Sequence, residues 1–474
     1  MSKNQNNSQS DACLDDSGYK YPSKVYTSFS FGYFVRSFLF TVFAARVFAF
    51  YENEVRLDVT LVLIAYVLYG FWNMINDPLI GYFSDKPNRF WNKWGRRFPW
   101  IVATGIPYCF LIIIVFTPPN LDATTHSMFI FGWLLFSICL YDAVYSGWMT
   151  NYYALFPDKF RSDKERRKIA GIGSPLGLLA TALGTLLPPL FITYGDKQSY
   201  VIAMIVMAFI SFGAFLLSLP GSKETKEMID CAHVYAEENK KQDSFFKSMK
   251  IALKHKNFLA YLLAYLAFHS LITIMMASIP YIVPYILGLP ASSEVYIAAA
   301  LLVGQLLGVI LWAKLVGKVG HRNLFLIGLF WAVIFLIPLI FFQGLMMLVI
   351  LIGILGFGLG SIYLGNQLVF SDCIDEIVID TQKRQEGIFL GIRTFMVRLS
   401  IIIQAFTFWA IHLTTGFNPG IENQPDLAIW GLRIQFALIP LILMLIAGLL
   451  FGLLYDLKPE KVELNKKKLL ELNL

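Results

Sequence analysis

Ionisable side chains are scarce within the long apolar stretches of this chain, and each is a candidate for chemistry. Arg36, Arg46, Asp77, Asp142, His269, Arg393 and Arg398 lie inside such stretches, and His412 lies near the end of one. A charge held away from water is costly, so inside a membrane it marks an ion or solute site by default. Asn73 and Asp77 stand four residues apart and share a helix face. Asp142, Tyr145, Ser146, Met149 and Tyr153 fall on one face of another helix. They offer an acid, hydroxyls and rings to a polar solute, and ordinary core packing is the alternative for the aromatics. Gln305 and His269 are further polar candidates.

Four arginines against two acids leave a positive excess, and buried charges are normally paired. An anionic solute would supply the partner, because the guanidinium fork suits a carboxylate or phosphate. The plainer alternative is that Arg36 and Arg46 reach an interface or pair with Glu52 and Glu54.

The elements that must position these residues are membrane helices. The chain has 474 residues, 57% hydrophobic and 15% charged, with a mean hydropathy of +0.59. A soluble domain carries roughly 25% charged residues. Apolar segments near the roughly 20 residues of a membrane span predict twelve spans, at 27–51, 59–83, 99–118, 128–156, 169–194, 199–219, 257–288, 293–316, 322–343, 345–370, 386–415 and 428–455. The fold class is therefore all-α, since lipid cannot satisfy open backbone groups.

Basic residues crowd alternate loops: Lys86, Arg89, Lys93, Arg96 and Arg97 after the second span, and Arg161, Lys164, Arg166, Arg167 and Lys168 after the fourth. The positive-inside rule then places both termini in the cytoplasm. The net charge of +7 is a topology signal and implies no nucleic-acid partner. The expected organisation is a disordered N-terminus (1–24), six spans (25–219), a Lys/Glu/Ser-rich linker (220–256), six more spans (257–456) and a cytoplasmic tail (457–474). No cleavable signal peptide precedes the first span. Five cysteines show no metal spacing and read as small buried hydrophobes. No nucleotide-binding GxxxxGK[ST] loop and no nucleophile–base pair stands out, so ATP drive and an enzyme are not expected.

Three loop motifs stand out. The first is Asn73-Met74-Ile75-Asn76-Asp77-Pro78-Leu79-Ile80-Gly81, running through Asp85-Lys86 to Gly95-Arg96-Arg97-Phe98-Pro99. A weaker echo, Gly317-Lys318-Val319-Gly320-His321-Arg322, recurs between the eighth and ninth spans. The third, Ser371-Asp372-Cys373-Ile374-Asp375-Glu376 with Lys383-Arg384-Gln385-Glu386-Gly387, is read as the loop from the tenth span to the eleventh. A motif repeated at the same place in each half is what two-bundle transporters show, with the solute between the bundles.

Over about 27–455 these motifs resemble the glycoside–pentoside–hexuronide cation symporters, a branch of the major facilitator superfamily. The resemblance implies two six-helix bundles that rock to move a sugar, glycoside or hexuronide-like solute with sodium or protons. The protein would be a multi-pass protein of the cell membrane, a monomer, with no cofactor besides the coupling ion. Its partners would be the solute and the lipid bilayer. The resemblance assigns the cation to Asp77 and Asn73. It assigns the solute to Arg36, Ser37, Asp142, Tyr145, Ser146, Met149, Tyr153, Tyr363, Gln367, Arg393 and Arg398. It assigns a cytoplasmic gate to Asp85, Arg96, Arg97, Asp372, Asp375, Arg384 and Glu386; fixing topology is the alternative for those charges.

The chain departs from the melibiose permease branch where that branch has acids, at Ser37, Asn73 and Met149, which argues against the same sugar. A eukaryotic branch of the family moves lysophospholipids, and a lysophospholipid or other amphipathic anion is the alternative cargo. A sensor or scaffold without transport is a third reading, against which the intramembrane charges argue.

Overall fold

The computed structural model describes residues 21–84, 91–160, 162–230, 254–381, 386–421 and 423–471. Among them, twelve helices are long and apolar enough to cross a membrane. In chain order they are α1 (Ser23–Ala49), α2 (Val59–Ser84), α3 (Phe98–Val115), α4 (Ser127–Lys159), α5 (Asp163–Leu186), α6 (Lys197–Ser222), α7 (Lys256–Tyr285), α8 (Glu294–Val319), α9 (His321–Leu339), α10 (Gly344–Thr381), α11 (Glu386–Thr415) and α12 (Asp426–Leu454). A short polar helix, α13 (Pro459–Glu471), follows. α1 continues into a π-helical turn, Phe50–Glu54, a local widening often found at functional positions.

Local chemistry sets the helix ends. Ser162 caps α5 by accepting from the Glu165 backbone N–H at 3.4 Å, so Lys164, Arg166, Arg167 and Lys168 lie on the helix and not in a loop. Asp196 caps α6 through the Gln198 N–H at 2.9 Å. The third motif also differs from its expected loop. α10 runs unbroken through Ser371–Glu376 to Thr381, because nothing between Gly365 and Thr381 is glycine or proline. Asp372 and Asp375 are therefore helical.

The first motif is held by a residue from elsewhere. Glu224, just past α6, accepts the backbone N–H groups of Arg96 (3.1 Å), Arg97 (2.9 Å) and Phe98 (3.0 Å) at the start of α3. A carboxylate there satisfies orphan donors and meets the positive end of the helix dipole. Burial pushes the Glu224 carboxyl above its usual range despite those three hydrogen bonds. Gly95 turns the chain with a φ of 92°, and a Cβ on it would strike the same carboxylate.

The chain forms two compact units. The first comprises Met1–Phe43, Phe71–Ile192 and Asp196–Gln242, and the second Ala44–Gly70, Thr193–Gly195 and Asp243–Leu474. The second unit thus takes the end of α1, the start of α2 and the 193–195 turn from the first half of the sequence. In the first unit α3 packs on α4 and α6; in the second α10 packs on α8 and α9, and α7 on α11 and α12. α8 and α10 meet backbone to backbone. A Cβ on Gly304 or Gly308 would run into the carbonyls of Gly353 and Phe357, so small residues four apart permit the contact.

Candidate functional site

In the first unit a buried carboxylate is gripped by two amides. Asp142 on α4 is 2% exposed. Asn73 Nδ2 donates to its Oδ1 at 2.5 Å, and Asn76 Nδ2 donates to its Oδ2 at 3.0 Å. Asn73 and Asn76 lie within one turn of α2, so α2 presents two amides to α4. Ser146, one turn after Asp142, is fully buried, and its Oγ has no hydrogen-bond partner among the described residues. Asp77 is half-buried one turn beyond Asn73. One carboxylate, two carboxamides and a free hydroxyl make a set of hard oxygen ligands for an alkali cation, or a carboxylate that takes a proton.

A second cluster surrounds Arg36 on α1. Its Nη1 donates to the Tyr153 hydroxyl at 2.8 Å, and its guanidinium lies 5.5 Å from the Tyr153 ring centre. Tyr145 faces it as well, and the Tyr33 ring meets Tyr153 edge-on at 6.1 Å. The Arg36 side chain is not covered by other described side chains, although α1 carries it well inside the span. Ser37 is half-buried, with its hydroxyl against Gly177 of α5, and Met149 is half-buried on α4.

The second unit holds the counterpart. Arg393 on α11 donates to Gln367 Oε1 on α10 at 3.2 Å, with its guanidinium 4.8 Å from the Tyr265 ring and 4.9 Å from that of Phe370. The His269 ring lies 4.4 Å from that of Tyr265, tilted by 60°, and Tyr363 is exposed beside Phe268, which adjoins His269. Arg398 is half-buried farther along α11.

Of the arginines read as a positive excess, Arg46 leaves that group. It forms a bidentate ion pair with Glu294 at the start of α8, and none with Glu52. Glu52 instead meets His412 at 2.6 Å. The partner lies 248 positions away in sequence, so no local spacing signals it.

In the first unit, Arg97 donates to Asn151 Oδ1 at 3.2 Å and to the Ser84 hydroxyl at 3.4 Å, and Arg96 is equally buried. Asp372 accepts from His321 Nδ1 at 2.7 Å, which joins the second and third motifs. Asp375 is half-buried. Asp85 and Arg384 lie outside the described residues, as does the side chain of Glu386. Also in the second unit, Asn257 bridges Glu376 and Asp456, and Lys461 of α13 reaches both acids at 3.0 and 2.9 Å. Lys256 adds an ion pair to Asp456 at 2.6 Å. Burial opposes ionisation of Asp456, but the bonds from Lys256, Lys461 and Asn257 outweigh it and hold the carboxyl well below the usual carboxylate range.

The structure thus joins Asp142, read as a solute residue, to Asn73, read as a cation residue. It adds Asn76, Tyr33, Tyr265, Glu224 and Glu294. Of these only Asn76 was signalled locally, three residues after Asn73 on the same face. No group of three or more His, Cys, Asp or Glu that could hold a metal ion occurs among the described residues.

The profile of the MFS/sugar transport protein family matches residues 25–458. A sodium-dependent lysophosphatidylcholine symporter 1 of Xenopus tropicalis is 22% identical, over 94% of this chain and 86% of that protein. A lactose permease of Lactobacillus delbrueckii subsp. bulgaricus is 23% identical, over 81% of this chain and 62% of that protein. Among solved structures, an inward-facing, unoccupied bacterial homologue of the human lysosomal transporter Spinster superposes with a TM-score of 0.64 at 14% identity. It covers 96% of this chain and 99% of that one, a likeness of fold alone. With twelve apolar helices and a family match along nearly all of its length, the chain is a multi-pass membrane transporter belonging to the MFS/sugar transport protein family.

Proposed function

We propose that this protein is a cation-coupled symporter of a small anionic organic solute, of which a hexuronide or comparable sugar acid fits best. One observation carries the reading. Each unit holds a guanidinium whose partners among the described residues are neutral: Arg36 with Tyr153 and Tyr145, and Arg393 with Gln367 and two rings. A guanidinium facing hydrocarbon is costly, so the open side of Arg36 is read as the wall of a watery cavity. A carboxylate arriving there gains charge-assisted, bidentate bonds. The flanking rings offer flat apolar faces to a sugar ring.

The coupling ion sits on Asp142, with Asn73, Asn76 and Ser146 as neutral oxygen ligands. Three such ligands around one acid favour sodium over a proton. Ion binding neutralises a carboxylate that otherwise ties α4 to α2, and so links ion occupancy to the packing of the two helices. Arg398 and Asp77 belong to this machinery as the basic and acidic positions that the family resemblance supplies.

The second reading, a lysophospholipid cargo, is favoured by the likeness to the lysophosphatidylcholine symporter over 94% of the chain. A phosphate suits Arg36 and Arg393 as well as a carboxylate does. Proteoliposome uptake of a glucuronide, its neutral glucoside and lysophosphatidylcholine, each with and without a sodium gradient, tests both readings. We expect sodium-driven accumulation of the glucuronide over the glucoside, and its loss in Asp142→Asn while exchange at equal concentrations persists. Equal uptake of acid and neutral sugar overturns the anionic solute, and undiminished accumulation by Asp142→Asn overturns the ion site. Preference for lysophosphatidylcholine selects the second reading.

A further inference from the structure

On α8 an exposed apolar row ends in two lysines. Leu307, Ile310, Lys314, Gly317 and Lys318 share one face of that helix, and all five are exposed. Leu307 and Ile310 are each more than half exposed. In a helix that spans a bilayer, such an apolar side faces acyl chains. Around Gly317, between the two lysines, no described atom lies within 4 Å of the place a Cβ would take.

Neither lysine has an ion-pair or hydrogen-bond partner among the described residues. The positive-inside rule ends every even-numbered span on the cytoplasmic side, and α8 differs from the other five. α2, α6, α10 and α12 carry no basic residue in their last turns. On α4 the last-turn Lys159 is committed to the carbonyls of Gly221 and Lys223, both at 2.7 Å. A helix dipole is felt within the last turn, which accounts for Lys318 but not for Lys314, five residues before the end of α8 at Val319. Pro459 packs on Gly320, where a Cβ would lie 3.1 Å from its Cγ, and so brings the exposed Lys458 to the same end of α8.

We infer that this face of α8 binds one anionic phospholipid of the cytoplasmic leaflet, with its phosphate between Lys314 and Lys318 and its chains along Ile310 and Leu307. Side chains four apart on a helix have Cβ atoms about 5–6 Å apart, so one phosphate reaches both ammonium groups. Two like charges at that spacing repel each other, and an anion between them turns the repulsion into attraction. The lysine stems lie against the apolar row while their heads reach headgroup depth. The space at Gly317 is where a side chain would otherwise displace the headgroup. Charge selects the lipid: a zwitterionic headgroup brings its own cation against the lysines, and an anionic one does not. The inner leaflet supplies anionic headgroups to such residues. Lys318 belongs to the second loop motif, which thereby gains a role apart from the solute and ion sites.

The test needs no solute, so its failure is distinct from failure of the proposed function. Native mass spectrometry of the full chain in detergent compares a phosphatidylglycerol with a phosphatidylcholine of the same chains. We expect the first phosphatidylglycerol to bind about tenfold tighter or more, as two lysines near an anionic surface warrant. Lys314→Gln combined with Lys318→Gln should bind the two lipids alike. Lys314→Arg combined with Lys318→Arg keeps the charge and should keep the preference, which separates charge recognition from damage to the surface. Glycerol phosphate at the same concentration should not displace the lipid, since it has no chains for Ile310 and Leu307.

Equal binding of the two lipids by the wild type overturns the inference. So does a full preference in the glutamine variant, which would put the lipid on other basic residues, or loss of the preference in the arginine variant. Displacement by glycerol phosphate overturns the lipid as occupant.

Discussion

At the scale of single residues, the chemistry turns on which charges find protein partners. Arg46 is satisfied by Glu294, whereas Arg36 and Arg393 keep neutral company. Arg36→Lys preserves the charge and loses the fork. A hydrogen bond to a charged group is worth roughly 1.5–3 kcal/mol, so the KM for a glucuronide should rise about tenfold or more. The KM for its neutral glucoside should change little. Comparable losses for both sugars would show that Arg36 shapes the cavity without reading the acid. Asp77→Asn tests the remaining carboxylate of α2. We expect it to insert normally and to lose accumulation against a gradient, and undiminished accumulation would leave Asp142 as the coupling acid by itself.

At the scale of elements, packing makes two predictions. α8 and α10 touch through glycines, so Gly308→Ala forces a Cβ into the Phe357 carbonyl. Overpacking typically costs about 1–3 kcal/mol. The melting temperature in detergent should fall by several degrees, while Gly317→Ala, with open space around it, should leave it unchanged or raise it. Equal melting of the two variants would count against the close contact. α13 is held by Lys461 to Glu376 and Asp456. The Asp456 carboxyl is depressed in the folded chain, so its contribution is complete above the ordinary carboxylate value of about 3.9 and fades as pH falls below it. Amide exchange across 459–471, corrected for intrinsic rates, should therefore be steady from pH 8 to 5 and speed up below about pH 4. Asp456→Asn should exchange fast throughout.

At the scale of the whole molecule, the basic loops predict that both termini face the cytoplasm. Cysteines introduced at positions 92 and 164 should escape an impermeant reagent added to intact cells and react after permeabilisation. External labelling of either would reverse the orientation.

Composition and apolar run length alone determined the all-α class and the number of spans, and the loop motifs carried the family resemblance. Lipid allows a chain of this composition few architectures, and the loop motifs are local in sequence. The candidate residues of α2 and α4 were legible for the same reason, since helical spacing decides which side chains share a face. Their partners were not. That Asp142 is bound by Asn73 and Asn76, that Arg46 meets Glu294 and that Glu224 caps α3 are contacts spanning 66 to 248 positions. Only close packing of helices sets such pairings. The extension of α10 through its acidic motif was decided by the fold as well, because charge alone does not end a helix that lacks glycine and proline.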